Sequence, residues 1–102
     1  MNINDLDLNL LRLFDAVWRA GSVSLAAQQL GMSQPAASQG LARLRTLLGD
    51  ALFERSGSGV RPTPRADRLA VAVQMALGTL EEALNVSQVF DPKRSSRVLR
   101  VH

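Results

Sequence analysis

Residues 21–48 read GSVSLAAQQLGMSQPAASQGLARLRTLL and contain two short helical patterns with a tight turn between them. Ser24 is the predicted N-cap of the first pattern, and Gly31 can end it in a left-handed conformation. Ser33 can cap the second pattern, where Pro35 is tolerated because the first helical turn needs no backbone donor. A helix, a tight turn and a second helix that starts with small polar residues predict a helix-turn-helix that reads DNA.

The second helix of this pair has two different faces, since successive residues are about 100° apart. Its apolar side consists of Ala37, Leu41, Leu44 and Leu48, and its opposite side of Pro35, Ser38, Gln39, Ala42 and Thr46. The opposite side carries no charge, whereas an ordinary solvated helix would carry Glu and Lys there. A surface that enters the major groove needs small side chains and groups that both donate and accept hydrogen bonds. Arg43 and Arg45 follow, where the helix would pass the phosphates.

Gly40 is unusual inside this helix, because a glycine there costs about 1 kcal/mol relative to alanine. Close approach to another backbone or to DNA would explain it. A tolerated imperfection explains it equally well.

A further helix is predicted on the N-terminal side, from about Leu8 to Ala20, with Asp7 as its cap and Gly21 as its end. One apolar stripe follows the helical period and consists of Leu10, Leu13, Phe14, Val17 and Trp18. We therefore expect Trp18 in the core rather than stacked on a base.

Two extended arms follow the helix pair around the turn-rich residues 56–59, which predicts a β-hairpin. Its anchors to the core would be Leu52, Phe53 and Val60. Arg55 and Arg61 would flank its tip, and an arginine on such a wing can enter a minor groove. The alternative is a flexible surface loop with solvated arginines.

A long helix is predicted next, with Thr63 as N-cap and Pro64 at the first helical position, running to about Val89. Its apolar stripe consists of Leu69, Val73, Ala76, Leu80 and Leu84. No charged residue lies between Leu69 and Leu80. Because so small a domain cannot cover this helix, we expect these five residues to form a symmetric homodimer interface.

Charge distribution is more informative than the net charge of +3. Residues 33–68 carry six arginines against three carboxylates, so positive charge is focused on the second helix and the hairpin. Phosphates attract such a patch, although a solvated basic face is the simpler alternative. The basic residues of 93–102 favour a solvated linker over a DNA contact, and residues 97–102 look like the start of a strand.

Composition bounds the class of protein. A chain of 102 residues with 46% hydrophobic and 21% charged residues fits one folded domain. It has no cysteine, its start does not resemble a signal peptide, and its most apolar run is too short to span a bilayer, so we expect a cytoplasmic, nucleoid-associated protein without a membrane partner.

Two other classes of function explain less of the sequence. A helical dimerisation or protein-interaction module explains the long helix but neither the polar face nor the wing. An enzyme is a poor fit, because the only histidine is His102, cysteine and tyrosine are absent, and no acidic pair has metal or acid–base spacing. We therefore expect no catalytic residue, no metal and no cofactor in this chain.

The chain resembles the N-terminal DNA-binding region of a LysR-type transcriptional regulator over residues 5–90. The matching residues are Asp7-Leu8-Asn9-Leu10-Leu11 with Phe14, Gly21-Ser22, Ala26-Ala27 with Leu30, Ser33-Gln34-Pro35-Ala36 with Ser38, Leu41 and Leu44, Asp50-Ala51-Leu52-Phe53 with Arg55, and Gly59 with Pro62-Thr63-Pro64. The opening, the Pro-Thr-Pro and Phe90-Asp91-Pro92 look most like the branch that senses aromatic compounds and nodulation signals.

The resemblance implies a mostly α fold: a winged helix-turn-helix over residues 5–63, a dimerising linker helix over 64–90, and over 91–102 a linker and the start of an effector-binding domain. That further domain would begin near Arg97 and bind a small-molecule effector. Members of the family usually act as tetramers built from dimers and bind a pseudo-palindromic double-stranded DNA site near a promoter. This chain is then the DNA-binding fragment, with a recognition helix over about 34–47.

The resemblance also implies roles for individual residues. The positions that face bases are Gln34, Pro35, Ser38 and Gln39. The positions at the DNA backbone or minor groove are Ser33, Arg43, Arg55 and Arg61. Three residues depart from the family pattern. Gln39 stands where many members have arginine and suits adenine better than guanine, Ser58 replaces a common basic wing residue, and Asp67 replaces a frequent glycine.

Overall fold

The computed structural model describes residues 3–89, and the side chains of residues 3–85. A short 3-10 helix precedes four α-helices and one two-stranded antiparallel hairpin. In chain order these are the 3-10 helix Ile3–Asp5, α1 (Leu8–Ala20), α2 (Val23–Leu30), α3 (Gln34–Leu48), β1 (Phe53–Ser56), β2 (Gly59–Pro62) and α4 (Pro64–Val89). The expected mostly α winged helix-turn-helix with a long following helix is confirmed. The linker and strand expected over 91–102 lie outside the described residues.

The helix ends follow the predicted caps at all but one place. The Asp7 carboxylate accepts a hydrogen bond from the Asn9 backbone N–H at 2.8 Å, and Gly21 ends α1 with φ of 67°. The prediction of Ser24 as the N-cap of α2 is wrong. Ser22 caps this helix, because its extended backbone directly follows Gly21 and its Oγ accepts from Leu25 N–H at 3.2 Å. Only two residues, Gly21 and Ser22, therefore separate the end of α1 from the start of α2.

The core lies between the three short helices and includes the start of α4. Its largest fully buried side chains are Phe14, Leu13, Leu41, Leu44, Leu52 and Val17. Phe14 and Phe53 pack with ring centroids 5.5 Å apart, which attaches the hairpin to α1. Trp18 packs against this core but stays half-buried. Ala66 and Ala70 of α4 are completely buried, so the packing unit continues past the end of the hairpin into α4.

The hairpin pairs Phe53 with Pro62 and Ser56 with Gly59. Its second strand is fastened to the end of α1, because Val60 donates its backbone N–H to the Gly21 carbonyl at 2.9 Å. A side chain at Gly59 would collide with that same carbonyl oxygen. The wing therefore rests on the junction between α1 and α2, and Gly59 permits the close approach.

The long helix α4 is covered over its first half only. Val73 is 3% exposed and Leu69 packs against the core, whereas Leu80 and Leu84 are 46% and 70% exposed. Val73 thus does not fit the predicted dimer contact, since its own domain already buries it. Leu69 retains only a partial surface, so Ala76, Leu80 and Leu84 are the predicted contacts that stay open. Among the described residues, no helix is long and apolar enough to cross a membrane.

Candidate nucleic-acid interface

The turn between α2 and α3 is fixed by backbone hydrogen bonds. Gly31 adopts φ of 68°, and the Met32 N–H donates to the Ala27 carbonyl at 3.0 Å, which closes the end of α2. Ala26 and Ala27 are buried, so α2 approaches its neighbours closely. Main-chain hydrogen bonds therefore fix the direction of α3 relative to α2, as a helix-turn-helix that contacts DNA requires.

The start of α3 is capped as predicted. Ser33 Oγ accepts a hydrogen bond from Ala36 N–H at 3.2 Å, and Pro35 lies in the first turn. The Ser33 residue is exposed, and its hydroxyl still has a proton to donate. The cap role and the predicted backbone-contact role of Ser33 are thus chemically compatible.

The outer side of α3 is exposed to solvent. All four residues predicted to face bases are exposed, and we call them the reading face: Gln34, Pro35, Ser38 and Gln39. The opposite side is buried through Ala37, Leu41 and Leu44. Thr46, further along the outer side, donates its hydroxyl to the Ala42 carbonyl at 3.1 Å and so serves its own helix. The free amide and hydroxyl groups are concentrated in the first two turns of α3.

Gly40 is explained by packing between two helices rather than by DNA. A Cβ added there would lie 2.6 Å from Leu13 Cδ2 and 3.3 Å from Leu10 Cδ2. Because Leu13 is itself buried, it has little room to move away. A close approach therefore explains Gly40, but it is to leucine side chains of α1 and neither to a backbone nor to DNA as predicted.

The two arginines of α3 have different roles. Arg43 is exposed and keeps the position expected for a phosphate contact. Arg45 is half-buried, and its Nε donates to the Ala51 carbonyl at 2.9 Å. Arg45 was expected beside the phosphates, but it ties the end of α3 to the start of the hairpin. No sequence signal could have shown this bond, because its acceptor is a main-chain oxygen.

The two wing arginines are exposed but lie on opposite faces of the hairpin. Arg55 is paired across the strands with Val60, and Arg61 is paired with Glu54. Since directly opposed residues share a face and successive residues alternate, Arg55 and Arg61 point to different sides. Glu54 lies opposite Arg61 across the strands, while Val60 lies opposite Arg55.

A residue outside the predicted site organises the base of the wing. Asp50 Oδ2 accepts hydrogen bonds from Leu52 N–H and from the Thr63 hydroxyl, each at 2.8 Å. Thr63 Oγ1 in turn accepts from Ala66 N–H at 3.1 Å and caps α4. Both bonds lower the pKa of Asp50 below its ordinary value of 3.8, and the bond from Leu52 N–H has the larger effect.

The same contact holds an uncommon backbone conformation. Leu52 is fully buried with φ of 64°, a left-handed conformation that a leucine rarely adopts. Its N–H is the one that Asp50 accepts. An Asp two residues before a hydrophobic anchor is a recognised turn signal, and it could have identified Asp50 from the sequence.

Within the described residues, no group of three or more His, Cys, Asp or Glu side chains is arranged to hold a metal ion. The exposed groups around the reading face are amides, hydroxyls and arginines. Such a surface suits hydrogen bonding to base edges and attraction to phosphates.

Comparisons with known proteins agree with this geometry. The family model described as "Bacterial regulatory helix-turn-helix protein, lysR family" matches residues 8–67. The regulator LinR of Sphingobium indicum is 47% identical over 95% of this chain and 32% of its own length. The activator NagR of a Ralstonia species is 46% identical over 99% of the chain and 34% of its own length. A nodulation protein D of a Bradyrhizobium species is 42% identical over 99% of the chain and 32% of its own length, which fits the predicted branch.

Solved structures give the same result. A probable transcriptional regulator from Pseudomonas aeruginosa has 48% identity and a TM-score of 0.78 over 81% of this chain and 28% of its own. The BenM DNA-binding domain in complex with benA site 1 DNA has 27% identity and a TM-score of 0.76 over 83% of this chain and 99% of its own. The chain spans about a third of the length of the curated relatives named above. The similar proteins are transcriptional regulators and not enzymes, and the chain belongs to the LysR family as its helix-turn-helix DNA-binding domain.

Proposed function

We propose that this chain binds a pseudo-palindromic double-stranded DNA site as a symmetric homodimer, with α3 in the major groove. The observation that carries the proposal is the reading face, a set of exposed, uncharged amide and hydroxyl groups at the start of a helix whose other side is buried. Gln34 and Gln39 can each donate and accept, as recognition of adenine requires, and Ser38 is short enough for close approach.

In this proposal the arginines hold the backbone of the DNA. Arg43 follows the reading face and meets a phosphate, which adds affinity without sequence preference. Arg55 enters or lines the minor groove from the wing. Arg61 contributes less, because Glu54 lies opposite to it across the hairpin.

The dimer is proposed to form along the uncovered part of α4. Its exposed contacts would be Ala76, Leu80 and Leu84. The start of the helix carries exposed Arg65 and Arg68 against exposed Asp67, a small net positive charge, and Glu81 and Glu82 are exposed towards its end. In a two-fold pair with antiparallel helices, the basic end of one copy faces the acidic end of the other. Charge and apolar surface thus favour the same partner, a second copy of this chain.

The relatives extend about three times as far as this chain, so regulation is proposed for the longer protein. There, in the cytoplasm, a small-molecule effector would bind outside these 102 residues and alter transcription. A tetramer would arise from two of the dimers described above. The DNA-binding chain itself would need no cofactor.

Fluorescence anisotropy on duplexes selected from a random pool tests the proposal, with shuffled duplexes as controls and two salt concentrations. We expect a two-fold symmetric sequence to be enriched and its affinity to fall steeply with salt. Equal, weak binding to every duplex would instead favour the rival function, a helical dimerisation module with incidental positive charge.

A further inference from the structure

Trp18 and Asp67 form a hydrogen bond between two elements that the mechanism above does not use. The indole Nε1–H of Trp18, near the end of α1, donates to Asp67 Oδ1, in the first turn of α4, at 3.0 Å. The two residues are 49 positions apart in the chain.

Apolar packing and polar bonds together set the direction of α4. Its first half packs Ala66, Leu69, Ala70, Val73 and Leu77 against the core. Nearest the start of the helix, Ala66 and Ala70 contribute only a methyl group each to this contact. Hydrogen bonds have a preferred direction, so polar bonds at the start of α4 are suited to refining its angle.

Two other polar groups hold the start of α4, but both lie at or before its second residue. Thr63 is bound to Asp50, and Arg65 Nη1 donates to the Leu48 carbonyl at 2.7 Å. Both bonds reach the end of α3 or the base of the wing. The Trp18–Asp67 bond is further along the helix and reaches α1, so it resists a tilt about the other two.

A small tilt of α4 would be amplified at the DNA. A helix of 26 residues is about 39 Å long at the helical rise. A tilt of about 10° would therefore move its far end by about 7 Å, roughly two base-pair steps. In a dimer joined through α4, that displacement changes the distance between the two α3 helices.

We propose that Trp18 and Asp67 are positioning residues that set the spacing between the two DNA half-sites. The inference rests on the proposed function, since a half-site spacing exists only for a dimer bound to DNA. Neither residue contacts the bases in this account; both act through the angle of α4.

The test uses the 102-residue chain and the selected duplex, with the half-sites moved apart or together by up to two base pairs. The variants are Asp67→Ala, which removes the acceptor, and Trp18→Phe, which removes the donor but keeps an aromatic ring. Asp67→Asn keeps an acceptor oxygen and serves as the conservative variant. Asp15→Ala, which removes an α1 carboxylate bound to Arg19, is the matched control.

We expect the unaltered chain, Asp67→Asn and Asp15→Ala to prefer one spacing. In Asp67→Ala and Trp18→Phe, the preference for that spacing over its neighbours should fall about fivefold, the order expected for one hydrogen bond. A change in stability alone would weaken binding to all spacings equally. Unchanged spacing preference in both variants would overturn the proposal while leaving the proposed function intact.

Hydrogen exchange of the indole N–H gives a second readout that needs no DNA, because Trp18 is the only tryptophan. We expect slow exchange in the unaltered chain and faster exchange in Asp67→Ala. Equal exchange rates in the two proteins would show that the bond does not persist in solution, and would overturn the proposal even if DNA binding were never observed. Binding without any spacing preference in the unaltered chain would instead contradict the proposed dimeric function, and with it this inference.

Discussion

Helices α3 and α4 bury one side in the same core, but their uncovered sides are chemically opposite. The uncovered side of α3 presents amides and hydroxyls, whereas the second half of α4 leaves Leu80 and Leu84 exposed. Exposed polar groups with no charge suit base edges, and exposed apolar groups suit another protein surface. One small domain can thus offer two partners separate surfaces, and mutations on each helix should affect a different partner.

The largest effect is expected from Leu80→Asp. A charge on the uncovered stripe of α4 should separate the dimer, because a carboxylate buried between two copies has no partner. Each monomer would then hold one half-site, and affinity for the full site should fall about 100-fold or more. Light scattering and anisotropy measure the two quantities on the same samples.

Met75→Asp is the matched control for that experiment. Met75 is 68% exposed on the same helix but lies about 140° around it from Leu80. The control protein should remain a dimer. If Met75→Asp separates the dimer and Leu80→Asp does not, the interface lies on the other side of α4 and the predicted stripe is wrong.

Replacement of reading-face residues comes next. Gln34→Ala or Ser38→Ala should reduce the difference in binding free energy between the specific and the shuffled duplexes by about 1–3 kcal/mol for a well-formed contact. Gln28→Ala replaces an exposed glutamine on α2, serves as the control and should leave that difference unchanged. Equal losses of affinity for specific and shuffled duplexes would indicate that the reading face contacts the DNA backbone rather than the bases.

A smaller and more uniform effect is expected from Arg43→Gln. Loss of one phosphate contact should weaken all duplexes alike and reduce the slope of log affinity against log salt by about 0.9. Arg19→Gln removes the same charge from a residue already bound to Asp15 on α1, and should leave the slope unchanged. A change in sequence preference in Arg43→Gln would indicate a base contact instead.

The smallest effect should come from Asp50→Asn, at the boundary between the two helices. Because folding lowers the pKa of Asp50, its carboxylate stabilises the fold above its ordinary pKa of 3.8, and this contribution is lost as the pH falls through the lowered value. Denaturant unfolding should therefore show the variant to be less stable at about pH 7 and the two proteins to converge as the pH falls through the lowered pKa of Asp50. A difference that does not change with pH would exclude the charge of Asp50 as its cause.

The sequence predicted the features that depend on local rules. The bounds of α1 and α3, the cap at Thr63 and the two arms of the wing follow from residue type and periodicity, and the structure confirms them. The reading face was also predictable, since the period of α3 places Ala37, Leu41 and Leu44 in the core and leaves the opposite side exposed.

Contacts between distant residues could not be predicted in this way. The bond from Trp18 to Asp67 joins residues 49 positions apart and depends on where α1 and α4 meet, which no local pattern encodes. Val73 was assigned to a dimer contact because its spacing matches Leu80, although burial by its own domain removes it from the surface. Periodicity identifies an apolar side of a helix but does not say which neighbour covers it.

The close contact between Gly59 and the Gly21 carbonyl has a consequence for redesign of this domain. Gly59 cannot accept a side chain, while the turn at Gly57 and Ser58 is exposed and has no neighbouring atom within 4 Å of a Cβ added at Gly57. The φ of 59° at Gly57 still favours glycine within the present turn. A loop grafted between the two strands should therefore be tolerated in place of residues 57–58, provided that Gly59 is kept. New wing sequences can be screened at these turn residues without any change to the helices.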